Sequence, residues 1–273
     1  MTPEQLERYA RHIVLPEIGG PGQRRLLESA VLLVGAGGIG APAALYLAAA
    51  GVGRIGLVDD DVVSRSNLQR QILYEEADIG RPKVEVAAAR LARLNPDCRI
   101  EPHPLRLEAG NARALIADYD LVVDGSDNFA TRLVVSDACV RSRRTLVSAA
   151  IRRFEGQLAV FKPHEDAALP CYRCFVGGAP AHLEETPCAE LGILGAAAGV
   201  LGSWAAAEAV KELVGGLPTL AGRLLIVDLL EGRSRRIVLP ADPACGHQAM
   251  LAESEENPRP RQASRSRSTS TGT

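Results

Sequence analysis

Aromatic side chains are scarce. They make up 4% of the 273 residues, with a single tryptophan, so the interior has to be built from aliphatic residues. Apolar residues still reach 47%, carried by alanine, valine and leucine. That is enough for a sizeable core in one large domain or two small ones. Cysteine is sparse too. Six in a chain this long exclude a disulfide scaffold. Residues 1–11 are polar and hold no signal-peptide core, so the cysteines read as cytosolic thiols, metal ligands or nucleophiles. An excess of charge of one sign is also missing. A net charge of −2 gives no ground for nonspecific nucleic-acid binding. No apolar run is long enough for a bilayer. Residues 191–207 carry no charge, but a span needs about 20 predominantly apolar residues. This run is rich in Gly and Ala and leads into the amphipathic Glu208-Ala209-Val210-Lys211-Glu212, so it reads as a buried helix packed closely on a neighbour. The expectation is a cytoplasmic protein with neither membrane nor nucleic acid as partner.

What is present centres on residues 31–40. Apolar residues, valine and leucine in equal number, run into Gly35-Ala36-Gly37-Gly38-Ile39-Gly40, and an Ala-rich helical pattern follows. Gly35, Gly37 and Gly40 fit G-x-G-x-x-G: a tight turn, a close backbone approach to phosphate, and close helix–strand packing. An acid about 20 residues on should hold a ribose, and Asp59 stands there. A glycine turn can lack a ligand, but strand, helix and acid in one register favour a nucleotide.

Around this turn the chain alternates. Thr2, Pro3 and Gln5 spell a capped helix start running to about residue 11. Residues 13–22 read as a loop and 23–29 as a short helix. Strands are expected near 31–34, 54–58, 98–103, 121–123 and 145–149, and helices over 41–50, from Pro82 to about 95, over 112–117 and over 129–141. Residues 60–80 form a long connection of the kind that is functional or disordered. Residues 155–161, 223–227 and 236–239 read as further strands, with a long helix near 190–214. The fold class is α/β: a Rossmann-like, mostly parallel sheet with helices on both faces, extended by antiparallel C-terminal strands. The expected divisions are N-terminal helices over 1–29, a nucleotide-binding part over 30–150, an antiparallel extension with cysteine loops over 151–250, and a disordered tail over 251–273.

Several polar residues fall where such a sheet binds ligands, beyond the carboxyl ends of its strands. Arg70 lies in the long connection, Lys83 opens a helix, and Asp127 follows the fourth strand. Two cations and a carboxylate beside a phosphate-binding turn suit phosphate chemistry: the cations neutralise transferring charge and the carboxylate holds Mg²⁺. Each alone could be a solvated surface charge. Cys171-Tyr172-Arg173-Cys174 is a C-x₂-C knuckle, readable as a redox site, half a zinc site or neither. Zinc wants four ligands, and the remaining candidates are Cys245 and His247. Cys188 precedes the long apolar helix, where a thiol is activated, or is simply a small loop residue. Cys98 and Cys139 read as core.

With these residues in view, the chain resembles the MoeB/ThiF/HesA group, bacterial relatives of ubiquitin-activating enzymes, and within it the molybdopterin-synthase branch. The likeness covers residues 5 to about 248. It rests on Arg8-Tyr9-x-Arg11, Gly35-x-Gly37-Gly38-x-Gly40, Asp59-x-Asp61, Ser66-Asn67-Leu68-Gln69-Arg70-Gln71, Gly80-x-Pro82-Lys83, Asp124-x-x-Asp127-Asn128, Glu155-Gly156-Gln157 and Cys171-x-x-Cys174. The resemblance implies an ATP-dependent adenylyltransferase. It would activate the C-terminal Gly-Gly carboxylate of a small ubiquitin-like sulfur carrier as an acyl-adenylate, which a separate sulfur donor converts to a thiocarboxylate. By the same resemblance Gly38 approaches the phosphates and Asp59 the ribose, with Asp61, Asn67, Gln71 and Asn128 as further nucleotide contacts. Arg70 and Lys83 stabilise phosphate charge, Asp127 binds Mg²⁺, and Arg11 reaches the triphosphate of the neighbouring subunit in a homodimer. Cys188 aligns with a cysteine that some members use covalently.

The chain departs from the family at Gln248, where a second C-x₂-C would place a cysteine. This makes His247 the substitute fourth ligand or leaves zinc unbound. Nor does the chain run on into a rhodanese domain like that of longer eukaryotic relatives. The rival reading is an NAD-dependent oxidoreductase on the same fold. It explains residues 35–40 and Asp59 but gives Arg70, Lys83 and Asp127 no role. A non-catalytic activating-enzyme partner is a third reading, opposed by Arg11, Arg70, Lys83 and Asp127 together.

Overall fold

The computed structural model describes residues 1–177 and 192–256. Cys188 and residues 257–273 lie outside the described residues. At the N-terminus the Thr2 hydroxyl accepts the Gln5 N–H at 3.2 Å while Gln5 Oε1 accepts the Thr2 N–H at 3.0 Å. This is the reciprocal capping box that the sequence predicts. Helix α1 (Pro3–Arg8) ends sooner than expected, because Tyr9 interrupts it before α2 (Ala10–Ile13). The cause is tertiary. The Tyr9 ring is buried against Gly51, where a Cβ would stand 2.6 Å from it. Its hydroxyl accepts from the buried Asn95 amide at 2.9 Å. The loop expected over 13–22 is shorter as well. Helix α3 spans Gly19–Glu28, and Pro21 sits in its first turn, where a missing N–H costs nothing.

The expected alternation follows: β1 (Ala30–Val34), α4 (Gly40–Ala50), β2 (Arg54–Val58), α5 (Lys83–Leu94), β3 (Arg99–His103), α6 (Ala112–Ile116), β4 (Leu121–Asp124), α7 (Phe129–Ser142) and β5 (Thr145–Arg152). Then come β6 (Glu155–Phe161), α8 (Tyr172–Val176), α9 (Gly195–Val214), β7 (Arg223–Asp228), β8 (Arg233–Val238) and α10 (His247–Glu256). The last helix corrects the expectation of disorder from residue 251. Leu251 is buried and closes a small cluster with Val140 and Cys171, so residues 251–256 stay helical. Among the described residues no helix is long and apolar enough to cross a membrane.

All the strands join one sheet in the order β3-β2-β1-β4-β5-β6-β7-β8. Pairing is parallel from β3 through β5 and antiparallel from β5 to β8. The parallel strand order reverses between β1 and β4. Ligands of open α/β sheets bind outside the carboxyl ends at such a switch point. The turns that leave β1 and β4 there are the glycine turn and residues 125–128. One face of the sheet is covered by α3, α4, α5 and α9, the other by α6, α7 and Tyr172 of α8. Cys98 is buried in the first of these cores and Cys139 in the second.

Helix α9, from the uncharged run, is the element that seats the glycine turn. A Cβ on Gly202 would lie 2.3 Å from the Ile39 carbonyl oxygen and 2.5 Å from the Pro42 ring, whereas one on Gly199, three residues earlier, would meet nothing within 4 Å. Two substitutions on one helix should therefore diverge. Gly202→Ala overpacks the α9–α4 contact and should lower unfolding free energy in urea by about 1–3 kcal/mol. Gly199→Ala should raise it by about 0.5–1 kcal/mol through helix propensity. Equal effects would show that α9 does not rest on the turn.

Candidate active site and cysteine cluster

Gly35 leaves β1 with φ +85° and donates its N–H to the Val58 carbonyl at 2.8 Å. The chain then folds back so tightly that a Cβ on Gly40 would stand 1.8 Å from the Gly35 oxygen. Only glycine is possible there. The result is the N-terminus of α4, with its unpaired N–H groups and positive dipole end, at the mouth of the switch point. A crevice of about 300 Å³ opens over it, at the lower end of the range for small-molecule sites.

Most of the predicted residues meet here. Gly35, Gly37, Gly38, Asp59, Asp61 and Arg70 line the crevice, as do Gln71, Lys83, Asp127 and Asn128. Gly40 and Asn67 are not in the lining. Gly40 lies beneath the turn, and the Asn67 carbonyl accepts the Arg70 and Gln71 N–H groups, each at 3.0 Å, so it shapes the loop that carries them. Arg11 is exposed on α2 and lines no part of this crevice.

Asp59 is tied into the turn. Its two oxygens accept the Ala36 N–H at 2.8 Å and the Asp61 N–H at 2.9 Å. Burial pushes its pKa up, against the pull of Lys83 and these two N–H groups. Lys83 is 3% exposed. Its ammonium donates to Asp61 Oδ2 at 2.7 Å and stands 4.0 Å from Asp59, the pairing that a buried cation requires. Arg70 is held from below, Nη1 to the Ser66 carbonyl at 2.9 Å, and its aliphatic stem lies beside Gly38. Asp127 differs from these. It is exposed, and no hydrogen bond or ion pair holds its carboxylate among the described residues.

The geometry adds residues that motif reading passed over. Arg106 lines the crevice from the segment after β3, and Ser126 and Arg132 from the β4 side. Asp124, the last residue of β4, is 1% exposed. Its Oδ1 accepts the Ser126 N–H at 2.9 Å, while Oδ2 has no hydrogen-bond partner. Burial pushes its pKa up, and Arg132 is the strongest influence the other way. Gln71 Oε1 and Ser126 Oγ are likewise buried without partners. Polar atoms of this kind are rare in native interiors and mark places where a ligand or water completes the bonding. The signal for Arg132 was its position one turn into the helix that follows a strand-end acid motif.

Cys171, Cys174 and Cys245 assemble elsewhere with His247, and none of these lines the crevice. Cys171 Sγ lies 3.8 Å from Cys174 Sγ and 3.6 Å from Cys245 Sγ, and Cys174 Sγ lies 3.5 Å from His247 Nδ1. A tetrahedral zinc with ordinary bond lengths sets two sulfurs about 3.8 Å apart and sulfur and nitrogen about 3.5 Å apart. The set therefore fits that ion and no disulfide. Burial pushes the Cys171 and Cys245 thiols up, so thiolates at neutral pH need a cation among them. Gln248 stands where the family pattern would have cysteine, and its side-chain Nε2 lies 3.0 Å from His247 Nε2. It braces the far side of the ring.

Comparison with known proteins gives a consistent result. The model of the ThiF family matches residues 9–247. The sulfur carrier protein adenylyltransferase of Thermus thermophilus is 47% identical over 89% of this chain and 91% of its own length. The SAMP-activating enzyme E1 of Haloferax volcanii is 46% identical, covering 88% of each chain. The adenylyltransferase and sulfurtransferase MOCS3 of Bos taurus is 48% identical over 94% of this chain, which spans only 56% of that longer protein. Among solved structures, E. coli MccB with ATP superposes with a TM-score of 0.76 at 22% identity, over 87% of this chain and 72% of that one. This is a likeness of fold. On the family match and on relatives nearly half identical along most of its length, this chain belongs to the ThiF family.

Proposed function

We propose that the chain is an adenylyltransferase that uses ATP to activate the C-terminal Gly-Gly carboxylate of a ubiquitin-like sulfur-carrier protein. The observation that carries this reading is the crevice itself. A helix N-terminus, Arg70 and Lys83 converge on one side, and the carboxylate of Asp127, unpaired among the described residues, lines the crevice from the next strand end. The relatives named above are adenylyltransferases and an activating enzyme, and none is an oxidoreductase. An NAD-dependent reaction also leaves the converging cations without work.

In the proposed reaction a carboxylate oxygen of the carrier attacks the α-phosphorus of ATP. The bond from that phosphorus to the bridging oxygen breaks, and pyrophosphate leaves with the electron pair. The carboxylate gains a good leaving group, AMP, for a sulfur donor to displace. The chain's part is positioning and charge. The N–H groups at the start of α4, beside Gly37 and Gly38, receive phosphate oxygens. The lone pairs left on Asp59 accept from the ribose. Arg70 and Lys83 neutralise the charge that gathers on the leaving pyrophosphate. Bound Mg²⁺ would add charge neutralisation on the phosphates, and Asp127, whose carboxylate has no hydrogen-bond or ion-pair partner among the described residues, would help to hold it, with the acidic group Asp59-Asp60-Asp61 on the other wall of the crevice. Arg11 acts on the nucleotide of a second copy, which makes the active form a homodimer; its exposure on α2 supports this. A covalent step at Cys188 rests on the sequence alone. Zn²⁺ held by Cys171, Cys174, Cys245 and His247 would supply a cross-link between α8 and α10. With Nδ1 given to the metal, His247 Nε2 keeps its proton and the Gln248 amide turns its oxygen toward it.

Pyrophosphate exchange tests the reaction. Labelled pyrophosphate should enter ATP only when a ubiquitin-like carrier ending in Gly-Gly is present. Asp127→Ala should lower that exchange about 10²–10³-fold. Binding of NAD with no exchange for any such carrier would sink the proposal. The metal has its own test. Elemental analysis should find one zinc per chain. His247→Ala should lose it and lower the melting temperature, while Gln248→Cys should leave zinc content unchanged because the fourth donor is already present. Zinc retained in His247→Ala would remove His247 from the ligand set.

A further inference from the structure

The loop between β4 and α7 is gripped on both sides of one residue. Gly125 donates its N–H to the Val34 carbonyl at 3.0 Å and abuts the glycine turn: a Cβ there would lie 3.1 Å from Ile39. The Ser126 N–H is taken by the buried Asp124 carboxylate. From the first turns of α7, Arg132 reaches back, and its Nε and Nη2 both donate to the Ser126 carbonyl, at 3.1 and 2.5 Å. Beyond Asp127, Asn128 caps α7 by accepting the Thr131 N–H at 2.8 Å. So the backbone on each side of Asp127 is fixed, while its own carboxylate is left free in the crevice. The positive charge of Arg132 also acts on Asp124, pulling its pKa down against the larger effect of burial, and the second oxygen of Asp124 has no hydrogen-bond partner. Its charge offsets a carboxylate that would otherwise repel Asp127 from a buried position.

We propose that Arg132 is a positioning residue of the adenylation site: by forking onto the Ser126 carbonyl, it holds Asp127 where the reaction needs it. The inference rests on the adenylyltransferase reading and deepens it. Arg132 acts through Asp127, so its loss should cost turnover and leave nucleotide binding nearly intact. A guanidinium is required for the fork, because an ammonium cannot present two N–H groups to one oxygen in this fixed geometry.

The test is a double-mutant cycle on carrier-dependent pyrophosphate exchange, with wild type establishing that exchange occurs at all. If wild type shows none, the reaction reading fails and Arg132 is not what failed it. With wild type active, Arg132→Ala should lower kcat about 10²-fold, the scale of a misplacement of about 1 Å. The dissociation constant of a non-hydrolysable ATP analogue, measured without carrier, should stay within about threefold of wild type. Arg132→Lys should recover about tenfold of the loss, since the charge acting on Asp124 returns without the fork. The double variant Arg132→Ala/Asp127→Ala should be no slower than Asp127→Ala alone, the mark of residues acting as a unit. Without nucleotide, amide hydrogen exchange across residues 125–128 should quicken at least about tenfold in Arg132→Ala. Exchange activity within about threefold of wild type, multiplying losses in the double variant, or analogue binding lost in step with turnover would each overturn the proposal. Should Arg132→Ala not fold, Arg132→Lys enters the same cycle with the same criteria.

Discussion

Backbone touching backbone at the glycine turn is the constraint on which the rest depends. The Gly40 α-carbon sits against the Gly35 carbonyl, and Gly202 of α9 sits against the Ile39 carbonyl. Two segments far apart in sequence, the turn and α9, meet with no side chain between their backbones. Any Cβ at these points would push α4 or α9 outward and lift the N–H groups that face the crevice. The small residues of α9 follow from this. An uncharged Gly/Ala run that looked nearly apolar enough for a membrane is instead a helix pressed onto a turn.

Around that floor the site balances its charges before any ligand arrives. Lys83 is paired with Asp61 and close to Asp59, Arg70 is bound to a carbonyl, and Arg132 is spent on the Ser126 carbonyl. Buried cations could not persist otherwise. The consequence is preorganisation, since each group is held by a bond that an incoming triphosphate need not break. Asp127 departs from this rule: its neighbours are bound and it is not. A carboxylate fixed through its backbone, with its lone pairs open, suits a group whose partner comes with the substrate.

The cysteine cluster follows the same logic of replacement under a geometric constraint. Where the family pattern calls for cysteine at 248, the adjacent His247 turns Nδ1 to within 3.5 Å of Cys174. The tight Cys245-Gly246-His247 spacing works because the imidazole reaches farther than a thiol. The buried Leu251 then draws the start of α10 against Val140 and Cys171, so the apparent tail begins as part of this structure.

The local chemistry of the chain was legible in its residues. The capping box at Thr2, the end of α4 at Gly51, β2 with Asp59 at its tip and the parallel alternation all follow from short-range propensity and a buried apolar pattern. Such signals act between neighbours. Asp59, Lys83 and Asp127 could be named for the same reason, because each sits at the end of a readable element, whereas Gly38 and Arg70 were marked by the family motifs. Tertiary structure decided what depends on distant partners. Tyr9 breaks the first helix because Gly51 and Asn95 receive it, and residues 19–22 are helical although glycine and proline suggest a loop. Arg106 and Arg132 enter the crevice because the sheet order brings β3, β2, β1 and β4 side by side. A lone arginine on a helix carries no mark of the carbonyl it will grip. That contact exists only once the strand ends are assembled, so Asp127 and its neighbours Asp124 and Asn128 could be read from the sequence and the grip of Arg132 on their loop could not.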